Sequence, residues 1–127
     1  MQYGFSKTVD LSYEDLVEKV IGELKKEGFG ILTEIDVKDT LKNKIDVDFK
    51  KYIILGACNP TLAHKALQTE EEIGLLLPCN VIVYEKDGKS VVSIFDPVLM
   101  TKIVSNENIN PIADEVKEKL LRVFESV

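Results

Sequence analysis

The most constraining feature of the sequence is a hairpin signal inside an alternating series of strands and helices. Asp87 and Gly88 separate two segments with strand periodicity, 81–85 and 90–95, and Asp-Gly at this place is the strongest hairpin signal in the chain. The other segments alternate between strand-like and helix-like spacing of apolar residues. This order predicts an α+β fold, a two-layer sandwich in which a mixed β-sheet of about five strands carries helices packed on one face.

The bounds of the helices follow from apolar spacing and capping residues. Ser12 is a good N-cap for one helix, and Gly28 is a candidate to end it. Asn59 and Pro60 are typical of the N-cap and first position of another helix. The helices are expected at 13–27, 38–45, 60–68, 97–103 and 109–124. The strands are expected at 2–9, 29–37, 49–58, 81–85 and 90–95.

Composition narrows the classes of function. The 127 residues carry a formal net charge of −6, which argues against nucleic acid or an anionic membrane as the main partner. With 45% hydrophobic residues and no Pro-, Gly- or Ser-rich stretch, the chain is expected to form one domain over 1–127. Its apolar runs are too short to cross a membrane, and the N-terminus has no signal-like apolar core. We therefore expect a cytoplasmic protein with reduced cysteines.

The two cysteines lie in segments that resemble each other, Ala-Cys-Asn-Pro at 57–60 and Leu-Pro-Cys-Asn at 77–80. Cys58 directly precedes the predicted helix, whose free N–H groups and dipole favour the thiolate and lower the thiol pKa. The alternative is that Cys58 and Cys79 fill small spaces in the core. Antiparallel strands would bring the two segments together, whereas parallel strands would separate them by about 17–20 Å. The sequence leaves both arrangements open.

Few other residues indicate chemistry. His64, the only histidine, lies about one turn into the helix after Cys58, and is either a base or soft-metal partner of that thiol or a solvated surface residue. Met100 either lines a pocket or fills the core. Phosphate-binding glycine motifs and a recognisable Ser-His-Asp spacing are absent from the sequence. No cofactor and no metal are predicted, and the sequence leaves open whether the protein is an enzyme.

Two blocks of sequence resemble the domain of unknown function 302 family. They are Ile-Leu-Gly-Ala-Cys-Asn-Pro at 54–60 and Gly-Leu-Leu-Leu-Pro-Cys-Asn-Val at 74–81, and Asp96-Pro97 with Met100 resembles a third block. The resemblance covers nearly the whole chain. It implies a small two-layer α/β fold, often dimeric, without an established reaction. Family members often carry Arg where this chain has Asn80, so an anion site at that position would be weakened here.

Two hypotheses of function follow. The first is a non-enzymatic binding or interaction module that acts as a homodimer and takes a small-molecule ligand, with a pocket or dimer groove lined by Tyr52, Leu76 and Met100. The second is a thiol-dependent redox, sulfur-transfer or soft-metal-binding protein that uses Cys58 with or without Cys79. The candidate binding residues are Cys58, Asn59, Pro60, His64, Pro78, Cys79, Asn80 and Met100.

Overall fold

Strands and helices account for most of the chain. The structure is a computed structural model in which residues 2–127 are described. The strands are β1 (Gly4–Val9), β2 (Gly30–Asp36), β3 (Tyr52–Cys58), β4 (Cys79–Lys86) and β5 (Lys89–Phe95). The helices are α1 (Tyr13–Lys26), α2 (Val37–Ile45), α3 (Pro60–Thr69), α4 (Met100–Ile103) and α5 (Asn110–Ser126). Three 3₁₀ turns lie at Glu71–Leu76, Pro97–Leu99 and Glu107–Ile109.

The five strands form one sheet in the order β1-β5-β4-β3-β2. The α+β fold with five strands is therefore confirmed. In place of the expected mixed sheet, all four neighbouring pairs are antiparallel. The reason lies between β3 and β4, where α3 and the 3₁₀ turn Glu71–Leu76 return the chain to the end of the sheet at which β3 stops. Ala57 there pairs with Cys79, and β4 runs back along β3.

Local capping and turn chemistry agree with the sequence. The Ser12 side chain accepts a hydrogen bond from the Asp15 N–H at 3.1 Å and caps α1. Gly28, with φ at 84°, follows the end of that helix in the left-handed region that favours glycine. Asp87 and Gly88 have φ values of 53° and 77°, as the tight turn between β4 and β5 requires.

The main hydrophobic core lies on one side of the sheet, which we call the covered face. Helices α1 and α5 pack there, because their apolar residues recur at helical spacing while the strands present every second side chain to them. The buried residues of this core include Leu16, Val20, Leu24, Leu55, Val81, Val83, Val92, Ile94, Leu120 and Val123. The alternate strand residues form the opposite side, the open face, with Tyr52, Ile54, Asn80, Ile82, Tyr84, Ser93 and Phe95.

A second core cluster lies at the end of the sheet where β3 stops and β4 begins. Its buried members come from α3, the 3₁₀ turns, β4, α4 and α5, and they are Ala66, Ile73, Cys79, Met100, Ile109 and Ala113. The two Cys-Asn segments that the sequence singles out therefore border a packed apolar region.

Candidate functional site

The two cysteines lie at the same end of the sheet. Cys58 is the last residue of β3 and Cys79 is the first of β4, and the antiparallel register places Cys79 opposite Ala57, the neighbour of Cys58. Of the two arrangements that the sequence left open, the structure has the one that brings the segments together. Both cysteines are free thiols.

A small cavity of about 40 Å³ lies beside these thiols, between α3, α5 and the end of the sheet. Five of the predicted site residues line it, and they are Cys58, Asn59, Pro78, Cys79 and Met100. The remaining walls are apolar side chains such as Phe29, Ile73 and Ile109. A buried water needs two to four polar partners, and this lining is almost entirely apolar. The cavity therefore suits a methyl-sized apolar group better than a polar ligand.

Burial opposes activation of both thiols. Burial raises the pKa of the Cys58 thiol above its ordinary value of 9.0, which is opposite to the direction expected from the sequence. The pKa of Cys79 is raised to about 11, first by burial and then by the neighbouring Cys58. Desolvation disfavours the charged thiolate, and it is the cause of the raised pKa at Cys58.

The N-terminus of α3 already has a partner, because Asn59 caps it. The Asn59 Oδ1 accepts a hydrogen bond from the Leu62 N–H at 3.2 Å, and its Nδ2 donates to the Glu27 carbonyl oxygen at 3.3 Å. Gly28 leaves room for this amide, since a Cβ on it would lie 3.0 Å from Nδ2. Asn59 thus joins the end of α1 to the start of α3, a structural role that the sequence did not reveal.

Three predicted residues do not line the cavity. Pro60 and His64 are exposed on α3, and Asn80 is an exposed residue of the open face, opposite Gly56. Within residues 2–127, no three His, Cys, Asp or Glu side chains are grouped closely enough to hold a metal ion. His64 therefore does not join the two thiols in a common cluster.

Of the other residues expected to line the pocket, Met100 borders the cavity while Tyr52 and Leu76 lie elsewhere. Leu76 packs against the second core cluster. Tyr52 lines a wide groove on the open face, as does Asn80. The groove has a volume of about 920 Å³ and includes Lys50, Tyr84 and other residues that the sequence analysis did not select.

A partly buried ion pair fixes the end of β5 beside the cavity. Lys117 of α5 donates a hydrogen bond to Asp96 Oδ2 at 3.1 Å, while Asp96 Oδ1 accepts one from the Val98 N–H at 3.1 Å. Asp96 was noticed in the sequence only as part of an Asp-Pro pair, and Lys117 is 21 positions away. The contact depends on the packing of α5 and has no sequence signal of its own.

Comparison with known proteins gives a family and a fold. The model of the family described as domain of unknown function DUF302 matches residues 5–127. A crystal structure of an uncharacterized conserved DUF302 protein from Bacillus stearothermophilus has a TM-score of 0.91 and 25% sequence identity to this chain. That alignment covers 99% of this chain and 98% of the other. No curated protein matches the chain significantly. Among residues 2–127, no helix is both long and apolar enough to cross a membrane.

Proposed function

The chain belongs to the DUF302 family, a domain of unknown function, and from that premise we propose that it is a non-enzymatic interaction module that acts as a homodimer. The observation that carries the proposal is an apolar surface on residues 32–49, which we call the β2–α2 arm. The arm contains most of β2, all of α2 and the beginning of the loop to β3.

Exposed apolar side chains are concentrated in the β2–α2 arm. Of the nine large hydrophobic side chains that are exposed among residues 2–127, five belong to it, and they are Leu32, Ile35, Ile45, Val47 and Phe49. Leu32 is 66% exposed and Ile45 is 63% exposed. The helix α2 has no buried residue, whereas each of the other helices described has at least one. Exposed apolar side chains concentrated in one segment favour a protein–protein interface there.

A second copy of the chain is the occupant that we assign to this surface. β2 lies at an edge of the sheet, so its outer backbone groups are available for pairing with another strand. A bulge between Ile31 and Thr33 leaves 33–36 as the regular part of that edge. The arm also carries both signs of charge, for example Glu34 and Lys44, which a two-fold axis can place opposite each other.

The oligomeric state tests the proposal. Light scattering after size exclusion is expected to give twice the 14.3 kDa mass of one chain. The variant Ile45→Lys places a charge on the arm and is expected to give the mass of a single chain. The matched control is Leu75→Lys, because Leu75 is 85% exposed but lies outside the arm, and it should remain dimeric. A wild-type protein that stays monomeric at millimolar concentration would refute the homodimer.

We also propose a cytoplasmic location. The support is the pair of free thiols at the end of the sheet, since disulfides form and persist in oxidising compartments. Fractionation of the native cells, followed by immunoblotting, tests this: recovery from a secreted or periplasmic fraction would contradict it.

A thiol-dependent function is the second candidate, and one observation favours it. Cys58 and Cys79 border the same cavity, so that a soft ligand or an electrophile there would meet both sulfurs. The raised pKa values of the thiols weigh against it. Iodoacetamide labelling across pH separates the two candidates. Fast labelling of Cys58 near pH 7 would support the thiol function, whereas labelling only above pH 9 would exclude an activated thiol.

A further inference from the structure

The charged residues of the strands are distributed unequally between the two faces of the sheet, as the strand register shows. Within the described strands, the carboxylates are Glu34, Asp36 and Glu85, and each is paired with a residue of the covered face. Of the three strand lysines, Lys86 and Lys89 are paired with each other and lie on the open face, whereas Lys7 is paired with Val92 of the covered face. In a chain with a net charge of −6, this side of the described strands therefore carries lysines and no carboxylate.

The groove on the open face has the same character. Lys50 and Lys86 line it, and none of the Asp or Glu residues between positions 2 and 127 does. Its volume of about 920 Å³ falls within the range of about 300–1,000 Å³ that is typical of small-molecule sites. The other polar side chains along it are tyrosines, serines and amides, which can all donate hydrogen bonds.

Aromatic rings form the floor of the groove next to its lysines. The rings of Tyr52 and Tyr84 stack with their centroids 5.3 Å apart and their planes at 11°. Lys50 Nζ lies 4.7 Å from the centroid of the Tyr84 ring, so its ammonium group is placed beside the stacked rings. Tyr3, Tyr52 and Tyr84 all line the groove, and the pKa of Tyr52 is raised, first by burial and then by Tyr84 and Tyr3.

We propose that this groove binds a small organic anion, with its phosphate or carboxylate held by Lys50 and Lys86 and its flat apolar part against Tyr52 and Tyr84. Charge complementarity decides the occupant. A compact anion meets only the local lysines, whereas an extended polyanion such as nucleic acid also meets the net negative charge of the chain. The four residues that the proposal uses lie outside the β2–α2 arm, although Phe49 of the arm contacts the Tyr52 ring with the centroids 6.2 Å apart. The site therefore borders the proposed dimer surface but needs no residue from a second copy.

A pair of fluorescent probes that differ in charge tests the proposal. The anionic probe is 1-anilinonaphthalene-8-sulfonate, and N-phenyl-1-naphthylamine has the same rings without the sulfonate. We expect the anionic probe to bind the wild-type protein saturably and at least about fivefold more tightly than the neutral one, because two cations face the sulfonate. Added salt should reduce this preference, since these lysines are exposed to solvent.

Lysine variants locate the binding. The double variant Lys50→Met with Lys86→Met is expected to bind the anionic probe about fivefold to tenfold more weakly and the neutral probe unchanged. The matched control, Lys19→Met with Lys25→Met, removes the same charge from exposed positions of α1 and should bind both probes as the wild type does. Circular dichroism checks that each variant is folded before the titration.

Three results would overturn the proposal. They are equal binding of the two probes by the wild type, unchanged binding of the anionic probe by the Lys50 and Lys86 variant, and an equal loss in the control variant. Tighter binding of a labelled single-stranded oligonucleotide than of the anionic probe would also overturn it, in favour of a nucleic-acid surface.

Discussion

The two faces of the sheet are built from the same five strands and yet present opposite environments. The covered face carries Leu55, Val81 and Val83, all fully buried beneath helices α1 and α5. On the open face, the alternate residues Ile54, Ile82 and Tyr84 are only partly buried. Because successive side chains of a strand point in opposite directions, one register fixes the core and the free surface together.

The two concave regions of the molecule differ in size and in the polarity of their linings. The cavity beside Cys58 and Cys79 is small and apolar and lies among core side chains, so it has little room for a ligand. The groove near Tyr52 and Tyr84 is large, lined by hydrogen-bond donors and open to solvent. The two cysteines, the residues that the sequence singles out, therefore line the small cavity. The surface suited to a ligand consists instead of common tyrosines and lysines.

The largest expected effect is a difference in stability loss between substitutions at two neighbouring residues of β3. Leu55→Ala removes a fully buried side chain from the covered face, and we expect it to lower the free energy of unfolding by about 4 kcal/mol. Ile54→Ala, on the open face, is expected to cost about 1 kcal/mol, since its side chain is already partly solvated. Guanidinium unfolding measures both. Equal losses would show that the open face is covered in solution.

An intermediate effect concerns pH and the buried thiol of Cys79. Its pKa is about 11 in the folded protein against an ordinary 9.0, so the folded state keeps the proton to a higher pH than the unfolded state does. The stability that this thiol contributes is complete below pH 9 and is lost as pH rises toward 11, by about 2 kcal/mol at pH 11. Urea unfolding from pH 8 to pH 11 measures the loss.

The matched control for this experiment is Cys79→Ala. Tyr13, whose pKa is raised to about 12 mainly by burial, titrates in both proteins, so the difference between the two pH profiles isolates Cys79. We expect the variant to lose less stability than the wild type over the same range. Parallel profiles would mean that water reaches the thiol and that the cavity is open.

The smallest expected effect is at Asn59, which links the two helices beside the cavity. Asn59→Ala removes the cap of α3 and the bond to the Glu27 carbonyl, and should lower stability by about 1 kcal/mol. Asn59→Asp keeps an acceptor for the Leu62 N–H but loses the donor to Glu27, so an intermediate loss is expected. If urea unfolding shows no change in either variant, Asn59 does not join the helices in solution.

Local features of the fold were predictable from the sequence. The Ser12 cap and the helical spacing of Leu16, Val20 and Leu24 indicate α1 and the face that it buries, and the structure confirms both. The turn at Asp87 and Gly88 likewise confirms the hairpin. These features depend on residues close in sequence, where capping, periodicity and turn chemistry act directly.

Features that depend on distant parts of the chain were not predictable. The path of 59–78 decides whether β4 runs parallel or antiparallel to β3, and the spacing of residues fits both. The pKa of Cys58 was expected to fall because the helix start is visible in the sequence, whereas the apolar walls that raise it come from α5 and other separate elements. Desolvation is a property of the assembled structure.

The open face follows from the period-two pattern of the strands, although no single motif marks it. Within β4, Ile82, Tyr84 and Lys86 alternate with buried valines, so their common side could be assigned from period two alone. Lys50 and Lys86 resemble ordinary surface lysines until the register shows that the strand carboxylates point the other way. The charges of β4 and of the strands beside it show this pattern once they are assigned to faces.

Among the strand residues, all three carboxylates and Lys7 lie on the covered face, whereas Lys86 and Lys89 lie on the open face. The strands alone therefore give an uneven distribution of charge along the normal to the sheet. The net negative charge of the protein repels an approaching anion, but the local potential is more favourable near Lys86 and Lys89. Anions should therefore meet the open face more often than the rest of the surface. The rate of productive encounters should therefore depend on ionic strength more steeply than the dissociation rate does. A protein with the same net charge but mixed faces would lack this steering.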